Sequence, residues 1–287
     1  MVNYSIVAED LTYWYGDLVA VDSISFQVAE GEILGFLGPN GAGKTTTFNI
    51  LIGQLKPKGG KATVLGWDIA KDAQKVHREI GVCFEVTNLY EQMSARENLI
   101  LFARLFGIRR FDADSLLERI GLGGRGKEKV EQYSKGMKQR LMMARCLVNQ
   151  PRILFLDEPT SGLDPVSAEA IRAIILEERE RGATVFLTTH DMMEADKLCD
   201  RVAFINQGKI VALDTPHDLK QSYGKRALKA EVAVGGVNEY REIPLDVEGT
   251  PEAVRDLFSH NRVVTIHSEE ATLEDIFIKI TGRGLEE

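Results

Sequence analysis

The sequence predicts an α/β fold in which a parallel sheet carries an N-terminal antiparallel β subdomain, a helical insert and a small C-terminal α/β domain. Apolar runs of strand length recur at Ile33–Leu37, Ile153–Leu156 and Thr184–Thr188, as in strands that are buried on both faces. Strand, loop and helical spacing follow one another there, which is the pattern of βα units. The length of 287 residues suits two domains, and a change of pattern after Lys220 places them at residues 1–220 and 221–287.

Different periodicities predict the antiparallel subdomain and the insert. From residue 4 to about residue 32, short alternating runs of β-branched and aromatic residues are separated by turns, which indicates antiparallel strands. Helical spacing dominates from about residue 88 to residue 149. One apolar stripe in that segment consists of Leu99, Phe102, Ala103 and Phe106. We therefore expect a helical insert at 88–149.

The C-terminal domain is predicted from β-like runs that alternate with amphipathic stretches. The runs lie at Ala230–Val234 and Val263–Ile266, and the amphipathic stretches at Pro251–Ser259 and Leu273–Thr281. The plainest interpretation of the last stretch is a helix that packs its apolar face on the sheet of its own domain.

Composition and charge exclude several functional classes. The chain is 44% hydrophobic and 27% charged with a net charge of −8, which suits a folded protein and argues against nucleic acid as a partner. Its three cysteines, Cys83, Cys146 and Cys199, are too far apart for a zinc motif. No apolar run reaches the ~18 residues that a spanning helix needs, and the first residues do not resemble a signal peptide. We expect a cytoplasmic protein that reaches a membrane only through a partner.

A phosphate-binding loop is the strongest motif in the sequence. The segment that follows the Ile33–Leu37 strand consists of Gly38, Pro39, Asn40, Gly41, Ala42, Gly43, Lys44, Thr45 and Thr46, and a helix is predicted from about Gly43. Glycines and a helix N-terminus present N–H groups to an anion, Lys44 can reach the outer phosphates, and Thr45 can ligate Mg²⁺. The alternative is a chance glycine-rich turn with a solvated lysine. We expect a P-loop NTPase core that binds a nucleoside triphosphate.

Two further segments place polar residues at the same sheet edge. Asp157 and Glu158 end the Ile153–Leu156 strand, where ligands of parallel sheets bind. Asp157 suits the Mg²⁺ shell and Glu158 suits a general base for the attacking water, although a solvated acidic pair would show the same pattern. His190 ends the next strand and can donate a hydrogen bond to the terminal phosphate, although a lone histidine is more often a surface residue.

The order of these motifs resembles that of ATP-binding subunits of ABC transporters over about residues 4 to 220. The segment Tyr133–Met137 is similar to the signature of that family and is followed by a basic helix. The resemblance implies that ATP and Mg²⁺ are cofactors and that two chains enclose two ATP molecules head to tail. In such a dimer Ser134, Gly136 and Met137 of one chain would contact the ATP of the other. Alone, Ser134 is equally explained as a helix N-cap.

The resemblance also assigns roles to residues that carry no motif of their own. Tyr15 would stack on adenine, unless it is a core aromatic of the strand pair. Asp164 lies in the loop that would contact the opposite site across the dimer, and His190 matches a switch histidine of the family. Glu85 stands where the family usually has glutamine. We expect Glu85 to contact Mg²⁺ and to couple the site to transport.

The function predicted from the resemblance is an ATP-hydrolysing motor of an exporter of the drug, sodium and polymer subfamily. It would work as a homodimer, or with a paralogous ATPase subunit, beneath an integral membrane permease at the inner face of the membrane. The permease would dock near Glu85 and Asn88–Ala95. The alternatives are a soluble ABC-type ATPase that is not coupled to transport and a module that holds ATP without hydrolysing it.

Overall fold

The computed structural model describes residues 3–224, 227–234, 237–245 and 247–282, without the side chains of Val234 and Glu269. Contacts within the chain divide it into two units, with the boundary between Leu213 and Asp214. The predicted boundary after residue 220 falls instead inside a helix, Pro216–Tyr223, that the structure groups with the second unit.

The first unit contains ten strands and seven helices in its described residues. In chain order they are β1 (Tyr4–Tyr15), β2 (Leu18–Ala29), β3 (Ile33–Leu37), α1 (Lys44–Leu51), β4 (Gly59–Val64), β5 (Trp67–Asp68), α2 (Ile69–His77), β6 (Ile80–Cys83), α3 (Ala95–Leu105), α4 (Ala113–Arg119), α5 (Lys135–Leu147), β7 (Ile153–Asp157), α6 (Pro165–Glu180), β8 (Thr184–Thr189), α7 (Met192–Leu198), β9 (Arg201–Asn206) and β10 (Lys209–Asp214). A short 3₁₀ turn at Val130–Gln132 precedes α5.

Two sheets form the body of this unit. The antiparallel sheet has the order β2-β1-β4-β5, and the larger sheet has the order β10-β9-β3-β8-β7-β6, in which β9, β3, β8, β7 and β6 are parallel. Strands β3, β7 and β8 are buried along their whole length, so the prediction of an α/β fold from the apolar runs is confirmed.

Aromatic rings form the core between the two sheets. Phe26 of β2 packs on Phe36 of β3 with a centroid distance of 5.5 Å, and Phe186 of β8 lies 5.5 Å from Phe36. Phe155 of β7 continues the row and contacts Phe48 of α1 edge to face at 6.0 Å. Burial of each ring stabilises the fold by about 1.5–3 kcal/mol, so this row fixes the β strands and α1 against one another.

The segment predicted as a helical insert contains α3, α4 and α5, and each helix begins at a side-chain cap. Ser94 and Glu97 form a capping box at α3, Asp112 caps α4, and Ser134 caps α5. On the predicted stripe, Leu99 is buried, but Phe106 lies just past the end of α3 and is 39% exposed.

The second unit contains α8 (Pro216–Tyr223), β11 (Ala227–Val234), β12 (Val237–Pro244), α9 (Thr250–His260), β13 (Arg262–Glu269) and α10 (Leu273–Thr281). Its antiparallel sheet has the order β12-β11-β13, and α9 packs on it through Leu257. The last helix is formed as predicted, but α10 packs on α8, where Lys279 Nζ donates to Tyr223 O at 2.7 Å.

Within the described ranges, no helix combines the length and apolar character that crossing a bilayer requires.

Candidate nucleotide site

The backbone of residues 38–43 is shaped as an anion-binding loop after β3. Gly43 has a φ of 110°, and a Cβ atom there would lie 2.4 Å from the Ala20 carbonyl oxygen. A Cβ atom on Gly38 would lie 2.2 Å from the Ile205 carbonyl oxygen. Only glycine fits at both positions. Gly43 precedes α1 without a side-chain cap, so the first N–H groups of that helix face the loop and are directed at an anion.

Lys44 is the buried cation of the site. Its Nζ donates to the carbonyl oxygens of Gly38 at 2.6 Å and Pro39 at 3.2 Å, and lies 3.9 Å from Glu158 Oε1. Burial lowers the pKa of Lys44, while Glu158, Asp157 and Glu85 oppose that shift by favouring its charged form. The ammonium group is therefore held under the loop beside the carboxylates.

Asp157 ends β7 next to Lys44 and is buried. Its register partner on β8 is Thr188, whose hydroxyl donates to Asp157 Oδ1. Burial raises the pKa of Asp157, the Thr188 hydrogen bond opposes this, and the charges of Glu158 and Glu85 add to the rise. Within the described residues only Thr188 donates to this carboxylate, so Oδ2 remains available to a cation.

Glu158 is held in a strained backbone conformation that points its carboxylate at His190. Its φ is 49°, in the left-handed region that costs a non-glycine residue about 1–2 kcal/mol. The N–H of Glu158 donates to the Thr188 carbonyl oxygen at 3.0 Å, and its Oε1 lies 2.9 Å from His190 Nδ1. The carboxylate is 9% exposed and the imidazole 53%, so the acid is buried next to a histidine that remains accessible to solvent.

Glu85 lies on the loop after β6, at the same edge. It is exposed and near enough to Lys44 and Asp157 to shift the pKa of each. A cavity of about 470 Å³ separates it from the start of α5 and is lined by Glu85, Lys135, Gln139, Glu158 and Ser161. The structure thus brings Lys44, Asp157, Glu158, His190 and Glu85 to one sheet edge.

The signature segment lies beside a different part of its own chain. Ser134 caps α5 by accepting from Met137 N at 3.3 Å, as the simpler interpretation of this serine predicts. A Cβ atom on Gly136 would lie 2.3 Å from Ser167 Oγ and 3.8 Å from Asp164 Oδ2. Asp164 in turn caps α6, and its hydrogen bond from Ser167 lowers the pKa of its carboxyl. Ser134, Gly136, Met137 and Asp164 therefore lie together on one side of the chain, where Ser134 and Asp164 are exposed, Met137 is half-buried and Gly136 is buried.

Tyr15 ends β1 and is 48% exposed, so it is not the core aromatic that the alternative interpretation described. Its ring packs edge to face on Tyr13 at 4.9 Å. Lys58 Nζ lies 5.0 Å from the ring centroids of Tyr13 and Trp14 and fixes the end of the strand. One face of the Tyr15 ring can therefore stack on a flat ligand.

Three hydrogen bonds in and around the site are made by residues to which the sequence motifs assign no role. Thr188 holds Asp157, Gln139 Nε2 donates to the Pro159 carbonyl oxygen at 2.8 Å, and Thr160 donates to Glu194. The register of β7 against β8 identifies Thr188, because it lies directly opposite the acid that ends β7. The other two contacts join segments that are distant along the chain, and no local signal marks them.

Comparisons with known proteins agree with this geometry. A family model described as ABC transporter matches residues 21–161. A fluoroquinolones export ATP-binding protein of Mycobacterium tuberculosis is 47% identical over 267 residues, which cover 93% of this chain and 89% of that protein. A Nod factor export ATP-binding protein of Rhizobium etli is 37% identical over 303 residues, covering 100% of this chain and 96% of that protein.

Among solved structures, a dimeric ATP-binding cassette in a post-hydrolysis state, bound to ADP and Pi, superimposes with a TM-score of 0.65 at 27% identity. The match covers 73% of this chain and 98% of that one. The relatives in sequence extend over nearly the whole chain, and the structural relative shares the fold of about three quarters of it. The chain therefore belongs to the ABC transporter family, in which it is an ATP-binding subunit that hydrolyses ATP to drive transport.

Proposed function

We propose that this subunit is the Mg²⁺-dependent motor of an exporter and that two copies close on ATP. The observation that carries the proposal is the convergence of Lys44, Asp157, Glu158 and His190 at the ends of three adjacent parallel strands. Export is supported by the relatives that are named export ATP-binding proteins. These names favour transport over a soluble ATPase that acts elsewhere in the cell.

ATP binding would use the phosphate loop and the tyrosine at the end of β1. The N–H groups of residues 40–46 and the Lys44 ammonium would hold the phosphates, and Tyr15 would stack on the adenine. The short distances from Lys44 Nζ to the Gly38 and Pro39 oxygens keep the ammonium under the loop until phosphate oxygens compete for its protons.

The donor set fits a hard divalent cation. Thr45 is exposed at the first turn of α1, Asp157 has a carboxylate oxygen without a donor in the described residues, and Glu85 lies nearby. In the described part of the chain, no group of three or more His, Cys, Asp or Glu side chains is arranged to hold a metal ion by itself. Phosphate oxygens and water would complete the shell. Bound Mg²⁺ would offset the charge of the phosphates.

Hydrolysis would depend on Glu158 as the general base. Its carboxylate, 2.9 Å from His190 Nδ1 and 3.9 Å from Lys44 Nζ, would take a proton from the attacking water. His190 would orient that carboxylate and donate to the terminal phosphate when the site is closed. Lys44 would stabilise the charge that develops on the phosphate oxygens.

The surface formed by Ser134, Gly136, Met137 and Asp164 would complete the site of a second chain. Ser134 and Gly136 lie at the start of α5, whose first turn contains Lys135 and no acidic residue and can bind phosphate oxygens, and Asp164 lies beside it in the same protomer. The second chain is another copy or a paralogous ATPase subunit. A head-to-tail pair would use the same two surfaces twice.

A groove between β6 and the helices of the insert suits the permease. It has a volume of about 370 Å³ and is lined by Ile80, Phe84, Phe102, Leu105, Phe106 and Cys146 among others. Leu105 is 69% exposed and Phe106 39%, while Arg145 fixes the floor by donating to Asn88 O at 2.9 Å. A short amphipathic helix of a membrane permease would fill this groove and hold the subunit at the cytoplasmic face of the membrane.

The test is the solution mass of Glu158→Gln with and without Mg²⁺-ATP, beside the ATPase rate of the parent. The variant keeps the shape of the acid and removes the base, so it should bind ATP, dimerise and fail to hydrolyse it. A Glu158→Gln chain that stays monomeric at saturating Mg²⁺-ATP would contradict the composite dimer. A variant that hydrolyses ATP at the parental rate would exclude Glu158 as the base.

A further inference from the structure

A buried acid and hydroxyl form a pair next to the nucleotide site. Thr160 Oγ1 donates to Glu194 Oε2, and the glutamate is only 4% exposed. Thr160 lies in the loop between Glu158 and α6, and Glu194 lies in the first turn of α7. Neither side chain touches the phosphate loop in the described contacts, so neither belongs to the set that binds nucleotide.

The pair joins two segments that each begin at a residue of the hydrolysis machinery. On one side, Asp191 follows His190 directly and accepts from Glu194 N at 3.0 Å, so Glu194 is fixed relative to the histidine. On the other side, Ser161 N donates to Glu158 O at 3.2 Å and Leu163 N to Thr160 O at 3.1 Å. The loop that carries Thr160 therefore runs as a series of tight turns from Glu158 to α6.

The burial of the Glu194 carboxyl group is energetically unfavourable. In the described residues Glu194 Oε1 has no hydrogen-bond partner. Burial raises the pKa of Glu194 and the charges of Asp191 and Glu158 add to the rise, while the Thr160 hydrogen bond and the charge of Arg172 oppose it. An apolar side chain would fill the same space without an unpaired oxygen. The directional hydrogen bond to Thr160 is the property that an apolar residue would lack.

We propose that Thr160 and Glu194 are positioning residues for ATP hydrolysis. Their hydrogen bond fixes the loop at 159–164 against α7, so that Glu158 keeps its alignment with His190 while Asp164 stays in place beside the signature helix. The role of Asp164 rests on the proposed dimer. The alignment of Glu158 with His190 does not, because both residues lie in one chain.

Thr160→Val in the full-length protein removes the hydroxyl and keeps the shape, and Thr160→Ser is the matched control that keeps the hydroxyl. We expect Thr160→Val to lower kcat about tenfold, the size of effect that one hydrogen bond to a carboxylate has on a rate. KM for ATP and the binding of a fluorescent ATP analogue should change less than about twofold, because the phosphate loop is intact. Thr160→Ser should retain most of the parental kcat.

A double variant separates positioning from stability. Thr160→Val with Glu194→Met replaces both polar groups by apolar ones, so the thermal midpoint should return toward that of the parent. A positioning role predicts that kcat stays low in this variant, whereas a purely structural role predicts that kcat recovers with stability. Recovery of kcat, or an unchanged kcat in Thr160→Val, would overturn the inference. A Glu158→Gln chain that fails to dimerise would overturn the proposed dimer and leave this comparison intact.

Discussion

The Thr188 hydroxyl provides the most direct test of how the sheet edge orients Asp157, the proposed metal ligand. Thr188→Val removes the hydroxyl that donates to Asp157 Oδ1 and keeps the β-branched shape at a position with no exposed surface. The lost hydrogen bond to a charged acceptor is worth about 1.5–3 kcal/mol. Loss of a residue that orients a metal ligand lowers metal affinity about 10- to 100-fold.

The expected result is therefore a rise of about tenfold or more in the Mg²⁺ concentration that gives half-maximal ATPase activity. The pH dependence of the ATPase activity gives a second readout. The pKa of Asp157 is raised by burial, and the Thr188 hydrogen bond counteracts that rise. Since Thr188→Val removes the counteracting contact, the pKa of Asp157 should rise further. Activity should then decline at a higher pH than in the parent as the medium is acidified, because the protonated acid cannot bind a cation.

The assay is phosphate release over a Mg²⁺ titration at several pH values, with Thr188→Ser as the control that retains the hydroxyl. Binding of a fluorescent ATP analogue without Mg²⁺ should be unchanged in both variants, since the phosphate loop does not contact Thr188 in the described hydrogen bonds. If Thr188→Val shows the same Mg²⁺ requirement and the same acid limb as Thr188→Ser, the hydroxyl does not tune Asp157 and the reasoning fails.

Two further predictions concern Glu85 and the groove. Glu85→Gln should raise the Mg²⁺ concentration needed for activity and lower the pKa of Asp157, because one negative charge near that acid is removed. Unchanged Mg²⁺ and pH titrations of this variant would exclude a metal role for Glu85. An unchanged ATPase rate of Glu85→Ala, both with and without the permease, would exclude a coupling role. Phe106→Glu should abolish co-purification with the permease and leave the basal ATPase rate within about twofold, because this half-exposed ring lines the groove. Leu99→Ala, a change of a buried residue of the same helical stripe, is the control for an effect of lost stability alone. Association that is retained in Phe106→Glu would place the permease elsewhere.

Much of the fold was predictable because its signals are local. The phosphate loop combines a strand, a glycine turn and a helix within one short segment, and Gly43 is required there by its own φ and by the nearby Ala20 carbonyl. Strands β3, β7 and β8 were recognisable because a strand buried on both faces must be apolar throughout. Parallel pairing then places their final residues at one edge, which is why Asp157 and His190 were expected near Lys44.

The remaining features depend on contacts between distant segments. The packing of α10 on α8 was missed because an amphipathic face indicates burial without naming the covering element. Phe106 follows the stripe of α3 but lies beyond the end of the helix, so the pattern could not show that it faces a groove. The boundary at Leu213 precedes α8 because α8 packs on α10, and this contact spans more than fifty residues of sequence.

Strand β8 organises both carboxylates through a single residue. The Thr188 hydroxyl donates to Asp157, and the Thr188 carbonyl oxygen accepts from the N–H of Glu158 at 3.0 Å. The second bond helps to hold Glu158 in its left-handed conformation, in which its carboxylate lies beside His190 and Lys44 and near enough to Asp157 to raise the pKa of that acid. Two adjacent acids in a continuous strand would point to opposite faces of the sheet. The break in the strand at Glu158 is thus the reason that both acids reach one site, and Thr188 is the residue that stabilises that break.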